Sequence, residues 1–317
     1  MSTQAVDAVP QTGEAIKVEK ISFGRGLRLV GWRHVVAIAF VVWALFPVFY
    51  VVTLAFSGGN TLTAACPPDK KGLEALTCFF PQKISLDNFQ TLLTSDQWPF
   101  AVWFRNTVLI ATINSFVALL MGAAAAFAFS RLRFRGRRPG LLTLMLVQMF
   151  PGVLAITAIY SLLSDIKDVF PALGIGSIGG LALVYLGGAL GVNTFLMKGY
   201  FDTIPVDIDE SARIDGASTT RIFFSLVMRL WLPILIVVYF VSFQGLFNEL
   251  PIAQVVLPDA SNTTLAVGLN GLVANPLVQQ WGLMAAGGVM AAIPLIIVFL
   301  ITQRSLVTGL TSGSVKG

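Results

Sequence analysis

"YFDTIPVDIDESARIDGAS", residues 200–218, sets six charged side chains close together in a chain of 317 residues that is 56% hydrophobic and only 12% charged. From Thr203 onward it reads as a short helix, a turn and a second helix. Pro205 suits a first helical position, and Asp207, Asp209 and Glu210 fall in the early turns, where carboxylates favour the positive end of the helix dipole. Arg213 lies near the other end, again with the favourable sign. Gly216 supplies the left-handed residue that commonly ends a helix. Ser218 then caps a second helix, which runs through Arg221, Phe223, Phe224 and Leu226 toward Trp231. From these residues alone the stretch is either a solvated loop or a helical elbow that turns a polar face to a partner.

Its surroundings decide the solvent. Mean hydropathy is +0.80, well above that of a soluble globular chain. Six runs lack Asp, Glu, Lys and Arg: 35–56, 107–129, 140–163, 179–197, 230–248 and 282–303. Each approaches the roughly 20 residues that a helix needs to cross about 30 Å of hydrocarbon. The expected fold class is therefore an all-α membrane protein with six transmembrane helices. Residues 1–34 form a polar, basic leader without the layout of a cleaved signal. Residues 35–303 form the membrane domain, with an external loop at 57–106, and residues 304–317 a tail. With the N-terminus inside, 16 of the 21 Lys and Arg lie in inner segments, which places both termini in the cytoplasm.

Cys66 and Cys78, the two cysteines, fall in the external loop, where a short disulfide-closed loop is the expectation and two free thiols the simpler alternative. "RLRFRGRRPG" (131–140) reads as a topogenic basic clamp rather than a nucleic-acid or lipid site. Small residues four apart, Gly122 with Ala126, Gly187 with Gly191 and Gly288 with Ala292, suit close helix packing. Pro47, Pro151 and Pro294 are expected to kink their spans. Gln148, Asn193, Gln244 and Asn248 are neutral hydrogen-bonding groups in the spans, and such groups more often bind neighbouring helices than a solute.

Nothing in the sequence assembles a catalytic or metal centre. There is one histidine, His34, no P-loop pattern, and no acidic residue in the spans apart from Glu249 at an edge. A chain that moves a solute against a gradient would take its energy from another subunit. The rival classes fare worse: a stand-alone secondary carrier would show internal pseudo-symmetry and intramembrane charges, and a membrane enzyme would show a reactive cluster.

"ESARIDGAS" resembles the cytoplasmic EAA loop of ABC importer permeases. Glu210, Ala212, Asp215, Gly216, Ala217, Phe223 and Pro233 stand where that pattern wants them. Ser211 replaces its first alanine, and Arg229 occupies the place of a usual proline. "VQMFPGVLAITAIYSLL", "LVYLGGALGVNTFLMKGYF", "NTTLAVGL" and the ending "GLTSGSVKG" are similar to the MalG-type maltose/maltodextrin permeases. The resemblance implies a type I ABC importer permease (MetI-like) fold in a bacterial plasma membrane. It also implies a MalF-like partner permease, a MalK-like ATPase dimer that holds ATP and Mg, and an extracytoplasmic sugar-binding protein. This chain would carry no cofactor and no catalytic residue.

The same resemblance assigns roles to residues. The EAA loop (198–229) would couple to the ATPase through Glu210, Ser211, Ala212, Asp215, Gly216 and Ala217. The tail, by composition flexible, would reach the ATPase through Gly309, Leu310, Val315, Lys316 and Gly317. Asn270 and Asn275, in an outer loop, would face the binding protein. Substrate contacts stay unassigned. The nearer alternative is a permease for another sugar or polyol, such as trehalose, another oligosaccharide or glycerol phosphate.

Overall fold

Apolar runs bounded by Pro, Gly and basic residues fold here into helices, and the computed structural model describes residues 31–62 and 84–312. In chain order the helices are α1 (Trp32–Ala55), α2 (Asp87–Thr94), α3 (Phe100–Arg131), α4 (Arg137–Gln148), α5 (Ile156–Val169) and α6 (Ile178–Phe201). They continue with α7 (Asp207–Ile214), α8 (Thr219–Leu230), α9 (Leu232–Phe247), α10 (Pro251–Val256), α11 (Leu265–Ala274) and α12 (Trp281–Ser312). No strand occurs among the described residues. Two units are distinguished, 1–49 and 50–317. In the first, the described part is the stretch of α1 up to Phe49, exposed from Trp32 onward. All that follows concerns the second.

α3 organises that unit. Its 32 residues extend about 48 Å, more than a bilayer core. Toward its start, Phe100, Trp103 and Ala111 pack with Phe243, Phe247, Leu265, Leu272 and Leu283. Toward its end, Leu119, Ala123, Ala126 and Phe127 pack with Met197, Phe201, Phe223, Trp231 and Leu235. Gly122 lets α6 approach: a Cβ there would meet the Asn193 Cβ at 3.1 Å. This is the small-residue packing expected for the second span. Gly191 is likewise closed off by Gln148, whereas a Cβ at Gly187 or Gly288 would meet nothing within 4 Å among the described residues.

Among the described residues four helices, α1 included, are long and apolar enough to cross a membrane, and six segments are if each of two bent pairs counts as one span. The first bend corrects the expectation of a kinked third span. Between α4 and α5 the chain turns through 83°. Pro151 adopts an extended backbone, φ −60° and ψ 114°, so the helix stops instead of kinking. Proline removes an N–H and also pushes the preceding residue out of the helical region. The second bend, 80°, separates α8 from α9 at Trp231. Pro233 sits in the first turn of α9, where a missing N–H costs nothing, and the turn forms although Arg229 stands where the related pattern has a proline.

Loops segregate to the two ends of α3. At its start, Trp103 Nε1 donates to Ala260 O at 2.7 Å and Thr107 Oγ1 accepts from Leu265 N at 2.7 Å. There too Trp281 N donates to Asn60 O and Gly176 N to Val256 O, at 2.9 and 2.8 Å. Segments assigned to the outside from charge thus meet one another. At the other end Ser130 and Arg131 hold residues 202–209. The tail differs from expectation: α12 continues through Ser312, so Gly309 and Leu310 are helical and not part of a flexible end. Cys66, Cys78, Val315, Lys316, Gly317 and nearly all of the leader lie outside the described residues.

Candidate functional site

α7 and the turn after it have the capping that their sequence called for. Gly216 takes φ +81°. Its N–H donates to Arg213 O at 3.0 Å, and the Ala217 N–H reaches back to Ala212 O at 2.9 Å. This pair of bonds is the Schellman ending. Ser218 Oγ accepts from Arg221 N at 3.3 Å and caps α8. The beginning differs by two residues: α7 starts at Asp207 after Val206, so Pro205 precedes the cap and is not the first helical residue.

Asp209 lies in the first turn of α7, as its sequence called for, and has a second role that the local pattern did not show. It faces inward, and its Oδ2 lies 2.6 Å from Arg131 Nε, the two side chains being 6% and 5% exposed. The contact is one of charge, since the Nε–H is not aligned for a hydrogen bond. A second arm of Arg131 donates to Ile204 O at 2.8 Å. Next to it Ser130 Oγ donates to Asp202 Oδ1 at 2.6 Å, and Lys198 Nζ pairs with Asp202 Oδ2 at 2.5 Å. Arg137 closes the cluster by donating to Phe129 O and Ser130 O, at 2.6 and 3.1 Å, and so satisfies carbonyls at the end of α3. Two of the five arginines in the basic stretch therefore do structural work, while Arg133, Arg135 and Arg138 are exposed.

Burial by itself lifts the Asp202 carboxyl, but hydrogen bonds from Lys198 and Ser130 and the nearby charges of Lys198 and Arg137 outweigh it. The net result lies below the ordinary carboxylate value. A depressed carboxylate stabilises the fold at neutral pH, and that contribution fades as pH falls through its folded pKa.

The coupling candidates divide by exposure. Glu210, Ser211, Asp215 and Gly216 are exposed, Ala217 is half-buried, and Ala212 is buried in the cluster with Phe127, Phe201 and Trp231. Ala212 therefore seats the helix on the bundle. The outward face is not purely polar: Ile214 is 87% exposed, and Val206 and Ile208 are also exposed.

The remaining candidates are dispersed. Asn270 lies within α11 and not in a loop; Asn275 ends that helix and accepts from Leu277 N at 3.0 Å. Asn275 borders a cavity of about 550 Å³ with Asn60, Gln97, Trp98 and Gln280. Beyond it Leu277 is 91% exposed. Within the spans, Gln148 Nε2 donates to Gly188 O, Asn193 Nδ2 to Ser242 Oγ and Asn248 Nδ2 to Gln244 O, at 3.0, 3.2 and 2.9 Å. Among the four polar residues singled out, only Asn193 lines the cavity of about 250 Å³ between α3, α6 and α9.

Residues 118–311, which include the whole clasped elbow, match the family described as "Binding-protein-dependent transport system inner membrane component". The chain belongs to this family. It is also 38% identical over 297 residues, 93% of this chain and 98% of the relative, to the maltose/maltodextrin transport system permease protein MalG of Vibrio vulnificus (strain YJ016). Against the protein of the same name from Escherichia coli (strain K12) it is 35% identical over 90% of this chain and 95% of the relative. In fold it resembles a chain of a bacterial ABC transporter involved in importing the acidic polysaccharide alginate. The TM-score is 0.67 at 21% identity, covering 89% of this chain and 98% of that one. A second structure of the alginate transporter, in complex with a periplasmic protein bound to alginate pentasaccharide, gives a TM-score of 0.61 at 14% identity. As a member of this permease family the chain is a multi-pass inner-membrane transport subunit and not an enzyme.

Proposed function

We propose that this permease is one of two membrane subunits of an ATP-driven importer for maltose and maltodextrins. A MalF-like permease completes the translocation path. A MalK-like ATPase dimer, which binds ATP and Mg, receives α7, and an extracytoplasmic binding protein delivers the sugar. One observation carries the reading: the residues resembling the EAA pattern fold into an exposed, capped helix fastened to the bundle, in a chain that is 38% identical to a maltose/maltodextrin permease over 93% of its length.

Closure of the ATPase dimer pushes on Glu210, Ile214 and Asp215, and α7 passes the displacement to the bundle, which then opens outward. Hydrolysis resets it. A nucleotide shifts such an equilibrium only by its differential affinity for the two states, so α7 must be held differently, or carried along, as the dimer closes. Both termini are cytoplasmic on this reading. Gly309 and Leu310, followed by Val315, Lys316 and Gly317, approach the ATPase, while Asn275 and its neighbours Asn270 and Leu277 approach the binding protein.

Single cysteines test the orientation. Cysteine at Thr220 is expected to react only with reagents that reach the cytosol, and cysteine at Leu277 only from outside; the reverse pattern would overturn the reading. The solute is tested by uptake into vesicles holding the purified complex. Labelled maltose and maltotriose are expected to accumulate with ATP, and trehalose and glycerol phosphate not to. Accumulation of one of the latter alone would move the assignment to that solute.

A further inference from the structure

We propose that Arg131 and Asp209 form a buried clasp that makes α7 move as one body with α3, so that a push on α7 reaches the core helix through this pair. The proposal rests on α7 being the ATPase-facing element. Burial and geometry point to it. Both side chains are nearly inaccessible, 2.6 Å apart, and Arg131 spans from Asp209 to Ile204 O, thus holding the helix and the strand of chain that leads into it.

A buried ion pair is a poor device for stability, because taking two charges out of water offsets most of their attraction. A pair of well-packed apolar side chains usually does as well or better. What the pair does supply is register. Sliding α7 along the end of α3 would strand one charge in a buried site, which is costly, whereas the apolar contact of Ala212 with its neighbours resists sliding only weakly. The other exit from α7 is built differently. α8 contains a wide π-type segment, Ile222–Val227, and meets α9 at an 80° bend, and π segments mark places where a helix departs from its regular register. The charged connection therefore runs backward to α3, whereas the forward one, through Ile222, Phe223, Val227 and Trp231, is apolar.

The test replaces charge without replacing volume. In the complex of full-length permease, partner permease and ATPase dimer, the double variant R131M/D209L is expected to assemble at wild-type level, because an apolar pair substitutes for the packing. Stimulation of ATP hydrolysis by sugar-loaded binding protein is expected to fall about tenfold, since register is lost. A merely structural role predicts that assembly and stimulation recover together, and that result would overturn the proposal. If the double variant does not assemble, Asp209→Asn against Asp209→Glu decides. Loss of stimulation in the first with retention in the second supports the clasp, and equal behaviour of the two sinks it. A wild-type complex that sugar-loaded binding protein does not stimulate would instead fail the underlying reading. Amide exchange across residues 207–214 would still judge the clasp: about tenfold faster exchange in Asp209→Asn supports it, and unchanged exchange overturns it.

Discussion

Gly216→Pro is expected to cut the coupling of sugar binding to ATP hydrolysis at least about tenfold while leaving the permease in the membrane. Three features of the turn fail at once. Proline cannot adopt φ near the observed +81°. It has no N–H to donate to Arg213 O, a bond of 3.0 Å in the native turn. It also disfavours the near-helical backbone of Asp215, φ −72° and ψ 4°. A misfit of about 3 kcal/mol or more lowers the population of the correct turn more than a hundredfold, so stimulation should fall at least about tenfold. The side-chain environment is not the cause, because a Cβ at Gly216 would meet nothing within 4 Å among the described residues. Gly216→Ala is therefore expected to cost only about 1 kcal/mol, and Gly216→Asn less, since asparagine tolerates the left-handed region. Normal stimulation in Gly216→Pro would show that the turn has no part in coupling.

Trp231→Ala is expected to lower the melting midpoint of the purified complex more than any single change on the surface of α7. The indole is fully buried, stacks on Phe201 and lies 6.3 Å from Phe127 by ring centroids. It occupies the corner where α8 turns into α9. Truncating so large a core side chain costs about 3–5 kcal/mol in soluble proteins. In a bilayer the water-transfer part shrinks, while the packing and cavity parts remain, so about 3 kcal/mol is the expected scale. Trp231→Phe is a useful control. The indole Nε1 is buried and makes no hydrogen bond among the described residues, so phenylalanine gives up chiefly volume, at roughly 1 kcal/mol. An unchanged midpoint in Trp231→Ala would mean that the corner is held elsewhere.

Where pattern and chemistry act locally, the sequence was a sufficient guide. Gly216 and Ser218 cap their helices as their residue types require, and Gly122 sits at a helix crossing, because backbone conformation and side-chain size are properties of single positions. The failures share a cause. Run length cannot distinguish a kink from an 83° turn, since hydropathy is blind to backbone direction. Only the Met149–Phe150–Pro151 sequence hinted that the helix would stop. Asp209 is one of three dipole-favouring carboxylates in the first turn, as read, but its charge partner lies 78 positions earlier in the chain, beyond the reach of a local pattern. One signal was present: Asp209 and Ala212 are three apart and so share a helix face, and a carboxylate on the face that carries the small apolar residue needs a buried cation. Likewise the clamp of arginines hid two different jobs, capping by Arg137 and clasping by Arg131, behind a single compositional signature. Gly309 looked like part of a flexible tail, yet the helical register of α12 carries through it.

The most direct test of the account is photo-crosslinking from Ile214 in the assembled, membrane-embedded complex. This side chain is 87% exposed, at the end of the helix read as the ATPase contact. A photoreactive residue there is expected to yield a covalent adduct with the ATPase subunit, whose yield changes when ATP drives the dimer closed. The same probe at Leu277, 91% exposed at the opposite set of loops, is expected to capture the sugar-binding protein and never the ATPase. Capture of the ATPase from Leu277, or of the binding protein from Ile214, would contradict both the orientation and the coupling role of α7.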